Sequence, residues 1–171
     1  MANHLHLVGS QRASAAIRPP LGPPSRPRQQ EDSDDKCLAN VSACRECRTS
    51  IQEGLWQWSE APAGVAEVPC PACRRLLTPL PAGLVFVEGQ YFDRHRVELI
   101  DLILTRAARA SVESPRRRLL GAKDISEGVV FATTDTELAE EIGDALRNSF
   151  GGDVLFSYAE ARDQLRVHWR R

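Results

Sequence analysis

From residue 82 onward the apolar positions alternate between two periods. Leu84-Val85-Phe86-Val87 is a short apolar run between Gly83 and Gly89, and predicts a buried strand. Phe92, Leu99, Ile100, Ile103 and Ala107 then recur at helical spacing as far as about Ala110, with Arg94, Glu98, Asp101 and Arg109 on the other faces. Pro115 lies beyond the end of this helix. Residues 119–125 and 129–133 flank the turn-like Ser126-Glu127-Gly128 and predict a β-hairpin. A second helix is expected over 134–152. Thr134 as N-cap and Glu137 three residues on form a capping box, Leu138, Ile142, Ala145 and Leu146 form the buried face, and Gly151-Gly152 ends it. Residues 154–158 read as a strand. Leu165-Arg166-Val167-His168-Trp169-Arg170 alternates apolar and basic, so one face packs inward and the other shows Arg166, His168 and Arg170. The order β-α-β-β-α-β with one extra strand predicts an α+β domain of ferredoxin-like type, with an added C-terminal strand. Two helices cover one face of such a sheet and leave the other open or dimerised.

Upstream the pattern changes twice. Residues 1–36 are rich in proline and arginine and poor in apolar side chains, which predicts a disordered tail that ends in an acidic run. Such a tail is a solvated linker, a polyproline ligand or a basic arm for RNA. Residues 37–81 hold Cys44-Arg45-Glu46-Cys47 and Cys70-Pro71-Ala72-Cys73, with 22 residues between the pairs. Two Cys-x-x-Cys pairs at this separation predict a four-thiolate Zn2+ site in a zinc ribbon, with Cys44, Cys47, Cys70 and Cys73 as ligands. Four protein ligands leave no position for water, so the expected role is structural. A redox Cys-x-x-Cys wants one pair between a strand and a helix, and a disulfide framework wants a secretory signal, for which the N-terminus shows no apolar run. Cys37 reads as a spare thiol. Trp56 and Trp58 either pack over the metal module or offer stacking faces to bases. Pro79 and Pro81 mark a junction, and residues 82–171 form the α+β domain.

Charge changes the picture little. The 171 residues carry a net charge of −1, so no global field draws the chain to nucleic acid or to an anionic membrane. No apolar run approaches the ~20 residues of a membrane span. Five cysteines, four of them in metal spacing, suit a reducing compartment, and a cytoplasmic location is expected. No phosphate-binding glycine loop or dinucleotide turn is present, so no nucleotide partner is expected. Three local basic features remain: Arg74-Arg75, Arg116-Arg117-Arg118, and Arg166 with Arg170 at the C-terminus. The guanidinium fork suits phosphate, so these seven residues are the candidates for RNA contact. They read equally well as solvated charges balanced by 23 acids. His95 and Asp135 are the candidates for an unfamiliar catalytic site, against packing and helix capping respectively.

Cys-x-x-Cys, Cys-Pro-Ala-Cys-Arg-Arg, Ala-Gly-x-Val, Thr-Thr-Asp-x-x-Leu-Ala-x-x-Ile-Gly-x-Ala-Leu and Arg-Val-His-Trp-Arg together resemble a family of small bacterial zinc-ribbon proteins of uncharacterised function. The likeness covers residues 44–171. The cysteine part also resembles, more weakly, the ribbon of the adaptor that accompanies the large ribosomal subunit out of the nucleus. These likenesses imply an RNA- or ribosome-linked role. The bacterial family often carries His and paired Arg on its second helix, where this chain has Glu137, Glu140 and Glu141. That departure argues against an RNA-facing second helix. Three functions follow: a zinc-dependent module that contacts RNA, a protein–protein adaptor, or an enzyme with an unrecognised site.

Overall fold

The computed structural model describes residues 41–78, 80–159 and 163–171. The tail, Cys37 and Pro79 lie outside them. The chain is mixed α+β, with two sheets and four helices among the described residues.

The smaller sheet is short and local. It comprises β1 (Ser42–Ala43), β2 (Ser50–Gln52), β3 (Leu55–Gln57) and β4 (Ala66–Glu67), in the order β3-β2-β1-β4. Gln52 sits opposite Leu55 across β2 and β3. Between them Glu53 and Gly54 both have positive φ, 52° and 79°, as a two-residue hairpin turn of the primed kind requires. Helix α1 (Pro71–Leu77) closes the unit. Ile51, Trp56 and Ala72 are buried around the cysteines and form a core separate from the larger one.

The larger sheet follows as β5 (Gly83–Glu88), α2 (Gln90–Arg94), α3 (Arg96–Glu113), β6 (Leu119–Ile125), β7 (Gly128–Thr133), α4 (Thr136–Phe150), β8 (Asp153–Ala159) and β9 (Gln164–Arg170). Its order is β6-β7-β5-β9-β8, with β5 antiparallel to β7 and parallel to β9. Leu99 and Ile103 of α3 join Leu138, Ile142 and Leu146 of α4 over Val85, Val87, Phe131, Val167 and Trp169 in one core. Both long helices therefore cover the same face. The other face carries Lys123, Val130, Phe86, His168 and Leu155 in one cross-strand row.

The structure departs from the sequence pattern in three places. The stretch read as one helix from Phe92 is two, broken at His95, whose backbone leaves the helical region at φ −122° and ψ 27°. The His95 ring stacks on Tyr91 at 4.1 Å there, and no glycine or proline marks the break. The cap of α4 is Asp135, not Thr134, and its carboxylate accepts from the Leu138 N–H at 2.7 Å. Thr134 is occupied elsewhere: its hydroxyl donates to the Arg116 carbonyl and accepts from the Arg118 N–H. The added last strand does not extend the sheet at its edge. It lies between β5 and β8, where its Val167 and Trp169 are fully buried.

Gly143 lets α4 settle onto the sheet. A Cβ at this position would stand 2.6 Å from Val167 Cγ1, inside contact distance of a side chain that is itself fully buried. Alanine normally gains up to ~1 kcal/mol over glycine within a helix. Overpacking a filled core costs ~1–3 kcal/mol and wins here. Gly143→Ala is therefore expected to lower stability, read as an earlier midpoint in urea unfolding at constant slope.

Candidate metal centre

The four sulfurs are brought together by two different local structures. The Cys44–Cys47 pair sits on a tight turn. Arg48 takes a positive φ of 61°, its N–H donates to the Cys44 carbonyl at 2.8 Å, and the Cys44 N–H donates to the Thr49 carbonyl at 2.7 Å. The second pair begins helix α1. Cys70 is its N-cap, and the Cys70 sulfur accepts from the Cys73 N–H at 3.4 Å. Pro71 at the first helical position supplies a preset φ and no surplus donor. The Cys70 N–H in turn donates to Cys44 Sγ at 3.2 Å and ties the two pairs together.

All four sulfurs lie within 4.8 Å of one another, and Cys47 and Cys70 are 3.7 Å apart. Zn–S bonds of about 2.3 Å imply tetrahedral edges of about 3.8 Å, so the spacing fits one ion. The four are free thiols and not disulfides. Cys44, Cys70 and Cys73 are buried and Cys47 is half-buried. Four cysteines within this radius can hold a metal ion.

Their ionisation is uneven. Burial opposes the Cys47 thiolate, but donors from Thr49 and Arg118 outweigh it and hold this thiol down at about 6. Burial pushes Cys73 far up, aided by the other sulfurs around it. Burial also pushes Cys70 up against the Cys73 N–H, and the neighbouring Cys44 and Cys47 add repulsion. The protein's own groups thus stabilise the Cys47 thiolate and resist those of Cys70 and Cys73. A divalent cation removes that conflict, since each ligand must be deprotonated to bind.

Arg118 enters this centre from the start of the larger sheet. Its Nη1 lies 3.8 Å from Cys73 Sγ, and its guanidinium sits 5.0 Å over the Trp58 ring. The Nε and Nη2 atoms are buried without a hydrogen-bond partner among the described residues. A buried cation of this kind needs a counter-charge. A Zn2+ ion on four thiolates leaves a net negative centre beside it. Trp58 completes the clasp by donating its indole N–H to the Ser111 carbonyl at the end of α3, at 2.7 Å. Of the two uses expected for the tryptophans, Trp56 is buried beside the cysteines and Trp58 bridges the two sheets.

The other arginines are divided. Arg117 is held inside by ion pairs to Glu141 at 2.5 Å and to Asp135 and Glu113 at 3.8 Å. Arg74 and Arg75 lie on α1, with Arg75 donating to the Leu80 carbonyl. Arg116 is exposed on the loop leading to Arg118. Arg166 stands on the uncovered face of the larger sheet, and Arg170 pairs with Glu127 at 3.7 Å. His95 lies against Tyr91, and Asp135 caps α4, where burial raises its carboxyl pKa. The roles of Arg118 and Trp58 were not legible in the sequence. Arg118 is 45 positions from Cys73, and no local spacing connects them.

No helix among the described residues is long and apolar enough to cross a membrane. No family model matches the chain, and no match was found among curated proteins.

Two outcomes follow from this geometry. Arg118→Met is expected to weaken zinc binding by about 10-fold or more, as removal of an outer-shell partner does, in competition against a chromophoric chelator. Stripping the metal is expected to unfold residues 42–78, read as rapid alkylation of Cys44, Cys47, Cys70 and Cys73 alike, where the metal-loaded protein resists alkylation at all four.

Proposed function

We propose that the chain is a binding module whose cysteine unit is folded by one structural Zn2+, and that it contacts RNA or a ribosome-associated partner. The observation that carries the metal half is the cluster of four sulfurs within 4.8 Å of one another. Four thiolates leave no open coordination position, so the ion acts as scaffold. In fold terms we read residues 42–78 as a zinc ribbon whose second cysteine pair opens a helix. We read residues 83–170 as a ferredoxin-like sheet with one inserted strand.

The RNA half is supported by the chemistry of the arginines that ion pairs among the described residues leave over. Arg74, Arg75 and Arg116 flank the cysteine unit in sequence or in space and can donate to phosphate. The likeness of Cys-Pro-Ala-Cys-Arg-Arg and its companion motifs to small bacterial zinc-ribbon proteins, and to the large-subunit export adaptor, supports the same partner class. A second reading, a protein–protein adaptor, is favoured by Leu76, Leu77 and Leu80, which are 51%, 62% and 64% exposed at the end of α1.

Gel retardation with zinc-loaded protein and a structured RNA separates the two. Three phosphate contacts predict an affinity falling with salt at a log–log slope of about −2, and loss of retardation in Arg74→Glu/Arg75→Glu. Absence of retardation at 50 mM salt would remove RNA as partner and leave the adaptor reading.

A further inference from the structure

The larger sheet carries its long helices on one face, and alternation along the strands fixes what stands on the other. Val85, Val87, Val167 and Trp169 point into the core and are fully buried, so Phe86 and His168 between them point the opposite way. These two are partners across the parallel strands β5 and β9. Their ring centroids are 4.2 Å apart and their planes are parallel to within 1°. Strands are spaced ~4.8 Å, so the rings stack across the gap between strands and stand upright as a two-ring plate. His168 Nδ1 lies 3.5 Å from Glu88, which fixes the imidazole in this pose.

Each ring keeps an outer face. That of Phe86 looks along the row to Val130 on β7 and then Lys123 on β6. Strand β7 adds only Gly128, Val130 and Ala132 to this side, all shorter than Phe86, so the surface steps down beside the ring. Lys123 is exposed across the step, two strands or ~10 Å from Phe86. The adjoining row places Arg166 on β9 next to Leu84. Neither row contains an acid; Glu88 and Asp153 stand in the third row with Arg170. Lys123 and Arg166 have no ion-pair partner among the described residues, and Arg166 donates to the Gln164 side chain at 3.5 Å. The ligand that fits is therefore a flat aromatic ring with anionic charge on both sides of it.

We propose that the step takes an unpaired base of single-stranded RNA, stacked on the outer face of Phe86 with its edge over Val130, while Lys123 and Arg166 hold the flanking phosphates. The site rests on the RNA reading above and adds a base-binding surface to it. A duplex keeps its bases stacked on one another and cannot fill the step.

Fluorescence anisotropy of the full zinc-loaded chain, with a labelled RNA strand of about ten nucleotides and with the same strand in a duplex, tests the site. Phe86→Leu should weaken single-strand binding about 5-fold or more and leave duplex binding unchanged, and Phe86→Tyr should retain it. Lys123→Gln, at an exposed position, should reduce the log–log salt slope for the single strand by about 0.7. Single-strand binding that survives Phe86→Leu but is lost in Arg74→Glu/Arg75→Glu would overturn the site and leave the RNA reading standing. No binding of either RNA would overturn both. If Phe86→Leu does not fold, an unchanged salt slope in Lys123→Gln overturns the proposal by itself. An RNA-free dimer in sedimentation that Leu155→Asp dissociates would assign this face to a second copy and overturn it equally.

Discussion

Four cysteine thiols confined within 4.8 Å cannot all become thiolates on the protein's own resources. Cys47 has donors sufficient to lower its pKa, whereas Cys70 and Cys73 are pushed the other way by burial. A divalent cation held here would resolve the crowding and supply what this short segment lacks. Units below ~40 residues seldom bury enough surface to fold alone, and the small core here is limited to a few side chains around the sulfurs. The cysteine cluster is therefore the constraint on which the small sheet, its turn and helix α1 depend.

The same cluster is tied to the larger sheet by a cation. Arg118 stands between Cys73 and the Trp58 ring, and Trp58 reaches the last turn of α3. Arg118 thus serves the metal centre electrostatically and joins the two units mechanically. Next to it Arg117 does comparable work inside the larger unit, bridging the end of α3 to α4 through Glu113 and Glu141. Two of the three consecutive arginines are structural, although in the sequence all three look alike. What separates them from Arg116 is the direction each side chain takes along the entry to β6.

Most elements of the larger unit were legible from periodicity. The alternation in β9 foretold Val167 and Trp169 inward and His168 outward, and the stripe Leu138, Ile142, Leu146 foretold the buried face of α4. Placement was less legible than identity. Where the last strand joins the sheet is a property of the assembled core and not of the strand's own pattern. The break at His95, where the ring stacks on Tyr91, is marked by no propensity. At the candidate metal centre the cluster of four cysteines was legible because thiolate chemistry demands a particular spacing. The helical geometry of the second pair was signalled only by Pro71 at a helix-starting position.

Everything functional assigned to the cysteine unit presupposes a single ion with four sulfur neighbours. X-ray absorption at the zinc edge, on protein purified with its metal retained, reads this directly. One zinc per chain with four sulfur scatterers at about 2.3 Å and no oxygen or nitrogen neighbour is the expected result. A chain that folds residues 42–78 with no bound metal, or that holds zinc through fewer than four sulfurs, would contradict it.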